Sequence, residues 1–286
     1  MYQIFESVIS NFTKTITGCS YICFGETFTY MIVYLSRLIT VIIILLPGPI
    51  MRAQTWKIAQ LRNPGPVVNV HNTANDTSET VATLTKDEFF YCEPGNADWW
   101  YVRTTTPAWG YIPKSQVQLV EELSVTAQQE MLVSIFTTHK KLGTDFIRAY
   151  EAKDSVGYFV TINKLDEHRD RIYEPILNIF SNHICKTGDT LVIRQLVEAV
   201  PVDGVMESDA RDLAMGEAFI CKSDLFINAL NSMSSKDDRF FVSFHIGFGV
   251  LQHYQKIEKR LMPQDPVYIQ LIGKLNAVEK ASMPSN

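Results

Sequence analysis

The chain has no excess of positive charge. It carries 26 Lys and Arg against 31 Asp and Glu, a formal net charge of −5. That removes the basic face a nucleic-acid binder needs to neutralise phosphates, so no nucleic-acid partner is expected. Cysteine is scarce as well, with five residues at positions 19, 23, 92, 185 and 221. None forms a C-x-x-C pair or sits at ligand spacing from histidine, so no metal and no cofactor is expected. There is no internal repeat and no low-complexity tract. No G-x-S-x-G, H-E-x-x-H or Walker-type loop marks a catalytic centre. What remains is 286 residues, 46% hydrophobic and 20% charged. That is a folding composition, with enough length for one large or two ordinary domains.

The most apolar stretch runs from Phe28 to Leu46, and Pro47-Gly48-Pro49 stops it. Arg37 lies inside it. At the centre of a membrane helix an arginine costs roughly 2.5–3.5 kcal/mol on insertion scales. Placing Arg37 at the start instead leaves Leu38–Leu46 as a short apolar core, within the ~7–15 residues of a signal peptide. Ala53 before Gln54 offers a small residue for cleavage. Residues 1–53 are therefore expected to be an export segment, a cleaved signal ahead of an uncleaved anchor or a merely buried helix. Met31 is an alternative true start. Either of the first two readings places the remainder outside the cytoplasm, periplasmic or in the envelope, with the membrane touched only through this segment.

From Val67 onward the period is near two, and turn residues recur. Short apolar runs at Val67–Val70, Val81–Leu84 and Phe89–Cys92 precede Trp99-Trp100-Tyr101-Val102-Arg103, then Trp109-Gly110-Tyr111-Ile112-Pro113 and Ser115–Leu119. About five short strands at ten-residue spacing predict a small barrel or sandwich over residues 60–122. Alternation sends Trp100 and Val102 inward and Trp99, Tyr101 and Arg103 outward. Two readings of the aromatics follow. They fill and cap a barrel too small for a long aliphatic core, or Trp99, Tyr101, Trp109 and Tyr111 form an exposed groove for a peptide or glycan.

Residues 66–120 resemble a bacterial SH3-type (SH3b) domain. Val68-Asn69-Val70 stands for the opening strand and Val81–Leu84 with Lys86-Asp87 for the second strand and turn. Trp99–Arg103 matches the central W-x-x-V strand, Gly110-Tyr111-Ile112 the G-W-V strand, and Ser115–Leu119 the closing turn and strand. His71 replaces a common Arg, Asn72-Thr73-Ala74 the usual Ser-Gly-Pro turn, and Tyr111 the usual Trp. The resemblance implies an SH3-like barrel and a cell-wall peptide ligand.

After Val120 the period becomes 3.6. Thr126 is a plausible N-cap, Lys140–Gly143 reads as a helix stop, and Thr144–Glu151 as a second short helix. Leu165–Cys185, Leu191–Val200, Ser208–Leu230, Asp238–Leu261 and Pro266–Val278 complete an all-α bundle of about six helices over residues 124–286. His168, within Asp166–Arg171, reads as part of a solvated charged face. His245 and His253 are too far apart to grip one metal, and Phe240, Phe241, Phe244 and Phe248 are expected in the core. An exported chain permits a disulfide, with Cys185–Cys221 the natural pair, although an odd thiol is left over. Neither cysteine sits in the Asp-Cys-Ser-Gly motif of the cell-wall cysteine hydrolases that accompany SH3b domains.

The expectation is thus a multi-domain chain: an apolar export segment, a small all-β SH3-like barrel, then an all-α helical bundle. Its partner is a peptide, a cell-wall glycopeptide or an envelope protein. The alternatives are an envelope hydrolase with an unrecognised helical catalytic domain, or a bundle that serves to dimerise.

Overall fold

The computed structural model describes residues 56–62, 67–86, 88–202, 209–258 and 265–282. The export segment, its cleavage site and the alternative start at Met31 lie outside the described residues.

Seven strands come first: β1 Lys57–Leu61, β2 Val68–His71, β3 Thr80–Leu84, β4 Phe90–Glu93, β5 Trp99–Thr104, β6 Trp109–Pro113 and β7 Val117–Leu119. They form one sheet in the order β3-β2-β6-β5-β4-β1-β7, with every pairing antiparallel. On β5 the alternation is strict. Trp100, Val102 and Thr104 are buried while Trp99, Tyr101 and Arg103 are half-buried on the other face. Ala59, Leu61, Val70, Leu84, Phe90, Cys92, Trp100, Val102, Ile112, Val117 and Leu119 make a single cluster. All seven strands contribute to it, which requires a strongly curved sheet.

Strand β1 escapes the period-two pattern for a physical reason. Ala59 and Leu61 enter the sheet's own cluster, while neighbouring Ile58 enters the helical one. A strand buried on both faces has no polar alternation to show. The same division separates Phe89 from Phe90 and Val120 from Leu119. The helical core is therefore continuous with one flank of the sheet.

The helices are α1 Val125–Glu151, α2 Ser155–His168, α3 Glu174–Thr187, α4 Thr190–Ala199, α5 Asp209–Asn231, α6 Lys236–Glu258 and α7 Pro266–Ser282. A π turn, Arg169–Tyr173, joins α2 to α3 without a break, so the described residues form six rods. Helix α1 is capped by Ser124, whose side chain accepts from the Ala127 amide, and not by Thr126. It also runs straight through the expected stop at Lys140–Gly143. Gly143 is buried inside it, where a Cβ would strike the Val202 carbonyl. This glycine admits a neighbouring backbone and does not end a helix. Helices α5 and α6 approach in the same way, since a Cβ on Gly249 would meet the Asp212 carbonyl and one on Gly216 the backbone of Gly249. Cys185 on α3 and Cys221 on α5 are joined by a disulfide, with their Cα atoms 5.2 Å apart. Helix α5 kinks at Lys222, the next residue. Cys92 is a buried free thiol. Among the described residues no helix is long and apolar enough to cross a membrane.

Candidate ligand-binding face

The outer face of β5 and β6 carries a run of rings. Register pairs Tyr101 with Tyr111 and Arg103 with Trp109, so these side chains stand beside one another on the same face. Tyr101 lies 5.1 Å from Tyr111 and 5.9 Å from Trp109, centroid to centroid, the latter pair stacked. Trp56, just before β1, joins them at 5.5 Å from Trp109 and 6.1 Å from Tyr101. Trp109 is 44% exposed, which is where an indole costs most unless something covers it.

Arg103 closes one end of the run. Its guanidinium lies 4.6 Å over the Tyr91 ring, 5.6 Å over Trp109 and 6.0 Å over Trp56. Rings that hold a cation in this way keep its charge near apolar surface at little cost. Burial raises the Tyr91 phenol above its ordinary value, and Arg103 partly offsets the effect. The other end is Trp99, 5.6 Å edge-on to His71. The imidazole of His71 is itself fixed by its Nδ1 contact with the Ser78 carbonyl at 3.2 Å.

Trp99 also lines a cleft of about 750 Å³. Arg62, Lys114, Asp76, Asp98 and Glu122 line it together with Trp100 and Pro113. Trp100 is held by donating its indole N–H to the Gly95 carbonyl at 3.0 Å, and Lys114 sits 5.6 Å over its ring. Opposed charges flanking indoles suit a chain with both donors and acceptors, such as a peptide, better than a single ion.

Trp99, Tyr101, Trp109 and Tyr111 therefore share one face, with Trp99 lining the cleft and Tyr101 in contact with both Trp109 and Tyr111. Sequence reasoning missed Trp56 and His71 as members, and put Arg103 on the outward face without assigning it to the site. Trp56 lies before the first recognised strand. The register that sets His71 beside Tyr111 follows only from the pairing of β2 and β6.

The polar groups of the helices lie elsewhere. His168 is buried, not solvated. Its Nδ1 is 3.3 Å from Nδ1 of His139, which is fully buried and stacks 3.9 Å from Tyr173. Burial, then the neighbouring His139, lowers the His168 pKa to about 4. On α5 and α6, Asp212 Oδ2 lies 2.8 Å from Nδ1 of His245. Arg211 donates its Nε–H to Asp212 Oδ1 at 3.1 Å. A base oriented by a carboxylate is half of a hydrolytic constellation, but among the described residues no serine, threonine or cysteine bonds to His245. His253 instead faces Glu217, at 3.5 Å. Among the described residues no three acidic, histidine or cysteine side chains could hold a metal. The expected phenylalanine core is also corrected. Phe240, Phe244 and Phe248 are 42, 56 and 41% exposed, and only Phe241 packs against the helical cluster. Helix α6 spends its buried faces on α5 and α7, which leaves that ridge outside.

Searches of protein-family models, of curated proteins and of solved structures return no match to the chain, so the geometry stands alone.

Proposed function

We propose that this chain is an exported, non-catalytic binding protein of the bacterial cell envelope, whose sheet acts as an SH3-like barrel and docks an extended peptide or cell-wall glycopeptide. The barrel reading is supported by the curvature of the sheet and by the pairing of the first strand with the last. Export is supported by the apolar run at residues 28–46 and by the Cys185–Cys221 disulfide, a bond that persists in oxidising compartments.

One observation carries the binding reading: Trp109, Tyr101, Tyr111 and Trp56 form a run of ring contacts on the outside of a sheet that has its own core. Rings needed only for packing would lie within that core. The test is cosedimentation of the full-length chain with purified cell-wall sacculi. Replacing Trp109 or Trp99 by alanine should weaken binding about tenfold or more, as for an aromatic anchor, with an unchanged melting temperature. Normal binding by a folded Trp109→Ala, Trp99→Ala double variant would rule the face out.

A further inference from the structure

We propose that the junction between the sheet and helices α1 and α2 holds a second site, a cavity for a small apolar ligand bearing one carboxylate. It goes beyond the aromatic face and does not depend on it. The cavity measures about 340 Å³, room for roughly eleven water-sized groups. Its apolar wall comes from both halves of the chain: Phe89 from the sheet side, Ile135 and Met131 from α1, Ile172 from the π turn. Such seams between packed units are where small-molecule sites concentrate.

The polar lining fixes the ligand's charge. Lys86 is the one cation lining the cavity among the described residues, and no carboxylate lines it. Two acids of the flanking segments are engaged elsewhere, with Arg171 Nη1 2.9 Å from Glu88 Oε1 and 3.1 Å from Glu167 Oε1. Ser134 and Thr138 add hydroxyls from exposed positions on α1. Gln60 adds a neutral amide from β1, and His168 an imidazole. Its Nδ1 is committed to His139, so Nε2 is the nitrogen left for the cavity. With its pKa at about 4, the ring is neutral at pH 7 and offers a hydrogen bond without a charge. One ammonium, two hydroxyls, a neutral amide and a neutral imidazole balance a single negative charge; a phosphate dianion would be left under-neutralised.

The backbone is also irregular here. The π turn begins at the residue after His168 and brings His168 and Tyr173, five apart, onto the same partner, His139. Single π turns within α-helices concentrate at functional sites.

The test is isothermal titration calorimetry of the full-length chain with 4-phenylbutyrate, against 4-phenylbutanamide and 4-phenylbutylamine. The acid should bind saturably at one site, and both uncharged amide and cationic amine more weakly. Lys86→Ala, an exposed position, should weaken the acid by about tenfold or more, the worth of a charge-assisted hydrogen bond. Ser134→Trp, placed at the mouth, should abolish binding while leaving the circular dichroism spectrum unchanged. No saturable heat with the acid, an amine that binds as well as the acid, or full binding by both variants would overturn the proposal.

Discussion

His168 shows how one ring couples the fold to pH. In the unfolded chain its pKa is near 6.5, and in the fold burial holds it at about 4. Protonation therefore favours the unfolded state. The stability this group allows is fully present above pH 6.5 and is lost as pH falls from there toward 4. The gap is worth at most about 3 kcal/mol. Urea unfolding of wild type and His168→Phe at pH 7 and pH 4.5 isolates the effect from that of the carboxylates. The wild type should lose about 1–3 kcal/mol more than the variant between the two pH values; equal losses would mean His168 is neither buried nor neutral. The charged run Asp166–Arg171 hid this residue. A period of 3.6 puts His168 on the same face as Leu165, Ile172 and Ile176, but its charged neighbours Asp166, Glu167, Arg169, Asp170 and Arg171 outweighed that spacing. The alternation on β5, by contrast, is interrupted by nothing, and the inward placing of Trp100 and Val102 was legible from sequence.

Glycine and proximity explain most of what was hidden at the level of whole elements. Gly143 reads as a stop because glycine so often follows a helix's last turn. Its role here is set by a backbone 59 residues further on, at Val202, and no local pattern contains that distance. The pair Gly216 and Gly249 acts similarly. Each lies four residues after a member of the Asp212–His245 contact, so the close crossing and the polar contact are successive turns of one α5–α6 seam. Replacing Gly249 by Ala would push the helices apart and lengthen that contact. Its expected cost is about 2–4 kcal/mol, the upper range for overpacking plus a disturbed buried pair. Chemical denaturation measures it, and a loss below 0.5 kcal/mol would show that the helices separate freely. The disulfide pins the neighbouring seam. It closes a loop of 36 residues between α3 and α5, which the chain-entropy relation values at about 3–4 kcal/mol. A Cys185→Ser, Cys221→Ser double variant should lose a comparable amount, and its loss should match that of wild type measured in reductant.

At the scale of the whole molecule, the composition divides sheet from helices more sharply than the packing does. Ile58, Phe89 and Val120 leave the sheet's cluster and enter the helical one, and the Arg171–Glu88 ion pair spans the same seam. Neither half can lose its structure without exposing apolar surface of the other, so the two should unfold together. The chain supplies its own probes for this. All four tryptophans, at 56, 99, 100 and 109, lie in or beside the sheet, so their fluorescence reports that half alone. Ellipticity at 222 nm reports the helices, since these hold most of the described residues. Heating should give coincident transitions by the two signals. Val120 is fully buried at the seam, and Val120→Ala should lower both midpoints equally, by the several degrees that about 1–2.5 kcal/mol implies in a chain of this size. A fluorescence midpoint that moves while the helical one stays would mean that the seam transmits nothing, and that the sheet is a free-standing module tethered to its neighbour.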